Sequence, residues 1–83
     1  MFTQQKVILN KALDWSSGQV LDAEFNNTGK LVKINLLCRN NPMFMEYEDG
    51  SSVITSAVDD YFFESGNMLV KTLNGIYVFK LLN

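Results

Sequence analysis

Six carboxylates stand between Arg39 and Lys71 with no Lys or Arg among them: Glu46, Glu48, Asp49, Asp59, Asp60 and Glu64. Residues 40–70 therefore sum to −6. The rest of the chain holds all 7 bases and only Asp14, Asp22 and Glu24, which gives the overall −2. Three kinds of chemistry are open to such a cluster. Oxygen donors can ligate a cation, adjacent carboxyls can trade a proton, and a one-sided field can steer a basic partner. The first lacks support, because Glu46, Glu48 and Asp49 do not have the spacing of an EF-hand loop. The second is poorly served by Asp59 and Asp60, since neighbours on a strand point to opposite faces. The third stands against a plainer reading, in which charges on turns serve only solubility.

The rest of the catalytic repertoire is missing. The chain has no His, so the commonest general base and metal ligand are absent. A single Cys permits neither an internal disulfide nor the usual structural zinc sets. No Ser–His or Cys–His nucleophile can be assembled. The five Gly stand singly, without a phosphate loop or dinucleotide fingerprint. The expectation is a protein that is not an enzyme, with no cofactor and no metal. Cys38 alternates with Val32, Ile34 and Leu36, which reads as a small buried hydrophobe rather than a reactive thiol.

The aromatics Phe44, Tyr47, Tyr61, Phe62, Phe63, Tyr77 and Phe79 admit base stacking as a use. Core packing is the stronger reading for Tyr61, Phe63, Tyr77 and Phe79, which share one face in the strand pattern. Phe62 falls beside Leu69 on the opposite face, with Asp60, Lys71 and Lys80. An apolar spot rimmed by charge marks either an interface or a second site of burial.

The elements that must hold these groups read as a string of strands. Ser65-Gly66 reads as a two-residue hairpin loop that pairs Phe63 with Met68, Phe62 with Leu69, Tyr61 with Val70 and Asp60 with Lys71. Asn74-Gly75 reads as a second such loop, pairing Leu73 with Ile76, Thr72 with Tyr77 and Val70 with Phe79. Met68, Val70, Thr72, Tyr77, Phe79 and Leu81 then form one inner face. Met43, Met45 and Tyr47 alternate with Phe44, Glu46 and Glu48, and Asp49-Gly50 turns the chain. Val53, Thr55 and Ala57 continue the alternation. An earlier hairpin is expected to place Ala23 opposite Val32, Leu21 opposite Ile34 and Asp22 opposite Lys33, with a loop over 26–29. The N-terminus fits two elements. Thr3 can cap a helix running to Asp14, with Ile8, Leu9, Ala12 and Leu13 on one side, while Val7-Ile8-Leu9 also fits a strand. The helix is the expectation adopted.

The chain of 83 residues, 47% apolar, reads as one domain over 1–83. The fold class expected is mainly β: a small antiparallel barrel or curved sheet of five to seven strands, with one short N-terminal helix. No apolar targeting core stands near the N-terminus and no run approaches the roughly 18 apolar residues of a membrane helix, so the expected location is cytoplasmic.

These features imply non-catalytic binding of a macromolecule. The expected partner is a protein with a basic surface, contacted by Glu46, Glu48, Asp49, Asp59, Asp60, Phe62 and Glu64. The chain is similar in type to small acidic inhibitors made by phages and mobile elements, some of which mimic nucleic acid. That resemblance implies a basic host nuclease or defence complex as the target, with the chain acting as inhibitor or adaptor. Two alternatives remain open. One is a small barrel that binds single-stranded nucleic acid, although two of the 7 bases face acids in the expected registers. The other is a homo-oligomer joined through exposed strand edges.

Overall fold

A computed structural model describes residues 2–14, 17–19 and 28–82. Alternating apolar residues build six strands: β1 (Phe2–Asp14), β2 (Leu31–Leu37), β3 (Pro42–Tyr47), β4 (Ser52–Glu64), β5 (Asn67–Thr72) and β6 (Gly75–Leu81). Every neighbouring pair is antiparallel, and β6 returns to β1, so the ring closes in the order β1-β2-β3-β4-β5-β6. The mainly-β expectation of a small barrel is met, as a closed but irregular ring.

Closure depends on the two long strands. The first part of β1 pairs with β2, from Phe2↔Leu37 to Ile8↔Leu31; the last part pairs with β6, from Val7↔Leu81 to Asp14↔Gly75. β4 likewise pairs with β3 over its first half and with β5 over its second. Each strand bends at a bulge. Asn10 is the extra residue between Leu9↔Phe79 and Lys11↔Val78. Asp59 is the extra residue between Val58↔Thr72 and Asp60↔Lys71. An added residue increases local twist and re-aims the strand. A second irregularity in β4 sets Thr55 and Ser56 against Met43. There the Thr55 hydroxyl accepts a hydrogen bond from the Met43 amide at 3.0 Å and donates one to the Ser56 carbonyl at 2.8 Å.

The interior is filled by apolar side chains. Leu9, Phe79 and Met68 lie in one cross-strand row and are fully buried. Val7, Val32 and Tyr47 form another, and Ile34 and Met45 a third. Tyr77 and Phe79 stack with ring centroids 6.3 Å apart. Burying a side chain of this size contributes about 1.5–3 kcal/mol, so the shared core rather than any one turn holds the ring.

The N-terminal segment is strand, not helix. The bulge at Asn10 explains the misleading pattern. Val7 and Leu9 face inward at a spacing of two, but the next inward residue is Ala12, three further on. That break in period mimics a helical face. After it, Gly18 at φ 72° closes a turn in which its amide donates to the Asp14 carbonyl at 2.8 Å.

The Ser65-Gly66 hairpin has the expected register throughout. Both residues have positive φ, 50° and 80°, as a type I′ turn requires. Asn74-Gly75 behaves differently. Lys71 pairs with Ile76 and Val70 with Tyr77, two residues away from the expected register. Neither Asn74 nor Gly75 has positive φ. Instead the buried Thr72 hydroxyl closes a longer loop, accepting from the Gly75 amide at 3.0 Å and donating to its carbonyl at 3.1 Å. A slip of two preserves the faces, so Met68, Val70, Thr72, Tyr77 and Phe79 remain buried.

The positions beside β2 are also reassigned. Val32 lies between Val7 and Tyr47, and Lys33 between Lys6 and Glu46. β2 is thus flanked by β1 and β3; the expected partners Leu21, Asp22 and Ala23 lie outside the described residues. The alternation in β2 also shifts at its end: Leu37 is fully buried and Cys38 only half-buried.

Two substitutions test this account by urea unfolding. Thr55→Val leaves the Met43 amide without its acceptor and is expected to cost about 1–3 kcal/mol. Gly66→Ala forces a side chain into left-handed backbone and is expected to cost about 1–2 kcal/mol.

Candidate interaction surface

The outward positions of the ring differ between its two halves. Over β1, β2 and β3 the outer row is Lys6, Lys33 and Glu46, continued on β4 by Ser52. A cleft of about 290 Å³ lies here, lined by Lys6, Leu31, Lys33, Glu46, Tyr47 and Glu48. Glu46 and Glu48 therefore share their surroundings with two lysines. Asp49 sits in the β3–β4 turn. The Ser51 hydroxyl and amide donate to its carboxylate at 2.6 and 2.9 Å and hold its pKa below the ordinary value. Those bonds fix the turn and hold the exposed carboxylate in its charged form.

The second half carries Asp59, Asp60, Phe62 and Glu64, all on the C-terminal half of β4. Asp59 and Asp60 do not take opposite faces. The bulge turns both carboxylates toward solvent, where each meets a base. Arg39 lies 2.7 Å from Asp60, and Lys71 Nζ lies 3.9 Å from Asp59. Asp60 stands opposite Lys71 as the register predicts, but its salt bridge goes to Arg39. The Tyr61 amide donates to the Asp60 carboxylate at 2.8 Å. That bond, and then Arg39, hold the Asp60 pKa below its usual value. An exposed pair of this kind adds little stability and is screened by salt.

Three cross-strand rows tile the outer face of this half. They read Asp60, Lys71, Ile76, Leu13; then Phe62, Leu69, Val78, Lys11; then Glu64, Asn67, Lys80, Ile8. Phe62 is 47% exposed, and Leu13, Leu69, Ile76 and Val78 are half-buried. Together they make an apolar strip running from β4 to β1. A shallow depression of about 480 Å³ follows it, with Glu64 at one end and Lys11 at the other. Phe63 pairs with the buried Met68 yet remains 54% exposed, since β3 pairs with β4 no further than Ala57.

The structure thus divides the seven candidate contact residues. Glu46, Glu48 and Asp49 stand before or at the start of β4. Asp59, Asp60, Phe62 and Glu64 gather on its second half, with Glu64 at its far end. The sequence reading missed Arg39 as the base beside Asp60, and it missed the strip through Val78, Ile76 and Leu13. The strip was encoded in the outward phase of β6, whose residues Ile76 and Val78 are as apolar as the inward ones. Among the described residues no three Cys, Asp or Glu side chains group as a metal site. No helix there is long and apolar enough to cross a membrane. No family model matches the chain, and no curated protein or solved structure matches it.

The Asp60 contacts set a pH dependence. A carboxylate whose pKa is lowered by folding adds stability above its unfolded pKa and loses it as pH falls through the folded value. The stability difference between wild type and Asp60→Asn is expected to be present at neutral pH and to vanish on acidification below the ordinary carboxylate range. Thermal unfolding across a pH series reads it directly.

Proposed function

We propose that this chain is a non-catalytic binding module that docks on another protein through the outer face of β4, β5, β6 and β1. The apolar strip that starts at Phe62 on β4 and runs through Leu69 and Val78 carries this reading. A large aromatic half-exposed on a closed ring, beside other apolar side chains and rimmed by charge, is the usual form of an interface anchor. Asp59, Asp60 and Glu64 around it favour a partner that brings a cation together with an apolar group. An adaptor or inhibitor needs nothing more, since it acts by occupying a basic surface. The acids beside Phe62 weigh against nucleic acid here, because a phosphate backbone would meet like charge.

The test is a partner captured on the immobilised chain, identified, purified and titrated by calorimetry. Phe62→Ser is expected to weaken binding at least about tenfold, as loss of an aromatic anchor does. Glu46→Lys with Glu48→Lys, in the other half, should leave affinity within about twofold, as near-neutral positions do. Binding that ignores Phe62→Ser would move the interface elsewhere and end the proposal.

A further inference from the structure

The same face is complementary to itself, and we infer that a second copy of this chain is an occupant it fits. The inference rests on the docking reading above and names a partner for it. Charge runs in one direction along the strip. At the β4 end Phe62 is flanked along its strand by Asp60 and Glu64; at the β1 end the same row finishes on Lys11. Glu64 and Lys11 make no salt bridge among the described residues, and their strands lie three spacings apart, about 14 Å. Neither can satisfy the other within one molecule.

Two copies can stack these faces about a two-fold axis in two ways. With the axis along the strands, between β5 and β6, β4 of each copy covers β1 of the other. Lys11 of the second copy then lands over Phe62, between Asp60 and Glu64, and Leu69 meets Val78 of the second copy. Both ends of the interface gain the same opposite-charge contact, as an isologous pair must. Asp60 already holds Arg39, so Glu64 is the open acceptor. With the axis across the strands, β4 lies on β4, and Glu64 faces Asp60 of the second copy. That arrangement sets like charges together. Charge therefore selects the first axis; either axis keeps the strands of the two faces aligned as in packed sheets.

The patch spans about four strand spacings by three outward rows, on the order of 400 Å² per copy. Twice that area lies below the range of permanent dimers, so the association is weak, in the micromolar range or above.

Sedimentation velocity over about 10 µM to 1 mM tests it, since that range brackets a weak dimer of this size. Wild type is expected to pass from monomer to dimer as concentration rises. Glu64→Lys alone and Lys11→Glu alone should each raise the dissociation constant at least about tenfold, because each homodimer then opposes like charges. Mixing the two variants should restore dimers, since the mixed pair regains both opposite-charge contacts. Circular dichroism and thermal midpoints confirm that each variant folds. A wild type that stays monomeric at the highest concentration overturns the inference. So does Glu64→Lys dimerising more tightly than wild type, which would mean β4 on β4, and so does a mixture that stays monomeric. A chain that is strictly monomeric yet loses its protein partner on Phe62→Ser sinks this inference alone. A chain that dimerises as described while its captured partner ignores Phe62→Ser sinks only the docking of that other protein.

Discussion

Closing a ring of six short strands forces two of them to bend. β1 and β4, 13 residues each, serve one neighbour with their first half and another with their second. A straight strand cannot follow both. One inserted residue in each, Asn10 and Asp59, supplies the change of direction. The rest of the structure depends on those bends. They bring β6 back to β1, align Leu9 with Phe79 and Met68 in the core, and leave no strand with two free sides. They also set the surface, because two consecutive residues at a bulge reach solvent. Asn10 and Lys11 do so on β1, and Asp59 and Asp60 on β4.

The fold redistributes the charge that the sequence segregates. Along the chain the six acids from Glu46 to Glu64 have no base among them. In space Arg39 reaches Asp60, Lys71 reaches Asp59, and Lys6 and Lys33 share a cleft with Glu46 and Glu48. A meander makes this the default outcome: neighbours in the sheet are drawn from segments on either side in sequence, so an acidic run is bordered by what precedes and follows it. Net charge over a window therefore says little about field at a surface. What survives is a local asymmetry at the far end of β4, where Glu64 makes no salt bridge among the described residues.

Legibility followed the regularity of the backbone. The Ser65-Gly66 hairpin could be read to the residue because two positive-φ positions fix both the turn and the pairing on either side. β3 was legible for a similar reason, with Met43, Met45 and Tyr47 buried in strict alternation. Where the period breaks, the reading failed. The bulge in β1 moved the inward series from Leu9 to Ala12 and produced the spacing of a helix. The doubled polar residues Asn10-Lys11 and Asp59-Asp60 were the trace of both bulges, but a polar pair inside an apolar alternation also marks a strand end. At Asn74-Gly75 the dipeptide preference lost to Thr72, whose buried hydroxyl satisfies both backbone groups of Gly75. Adding the β4 contacts explains why the longer loop holds: the Leu73 amide donates to the Ala57 carbonyl, and the Asn74 amide to the Ser56 hydroxyl.

Closing the ring leaves little free edge for association. Unpaired backbone offers a template to any chain that meets it, and it is confined here to the halves of β1 and β4 that have a strand on one side alone. Selectivity must then come from side chains on the outer wall, and the two halves of the wall are unlike. The β1–β2–β3 half carries Lys6, Lys33 and Glu46, outward charges that water satisfies as well as a partner would. The β4–β5–β6–β1 half places Phe62, Leu69, Val78, Ile76 and Leu13 where a barrel wall gains nothing from apolar side chains on its own account. Their burial is incomplete in the free ring and can be completed by another surface. The opposite charges at the two ends of that strip give the covering surface a direction, and it is the direction that a two-fold axis along the strands supplies.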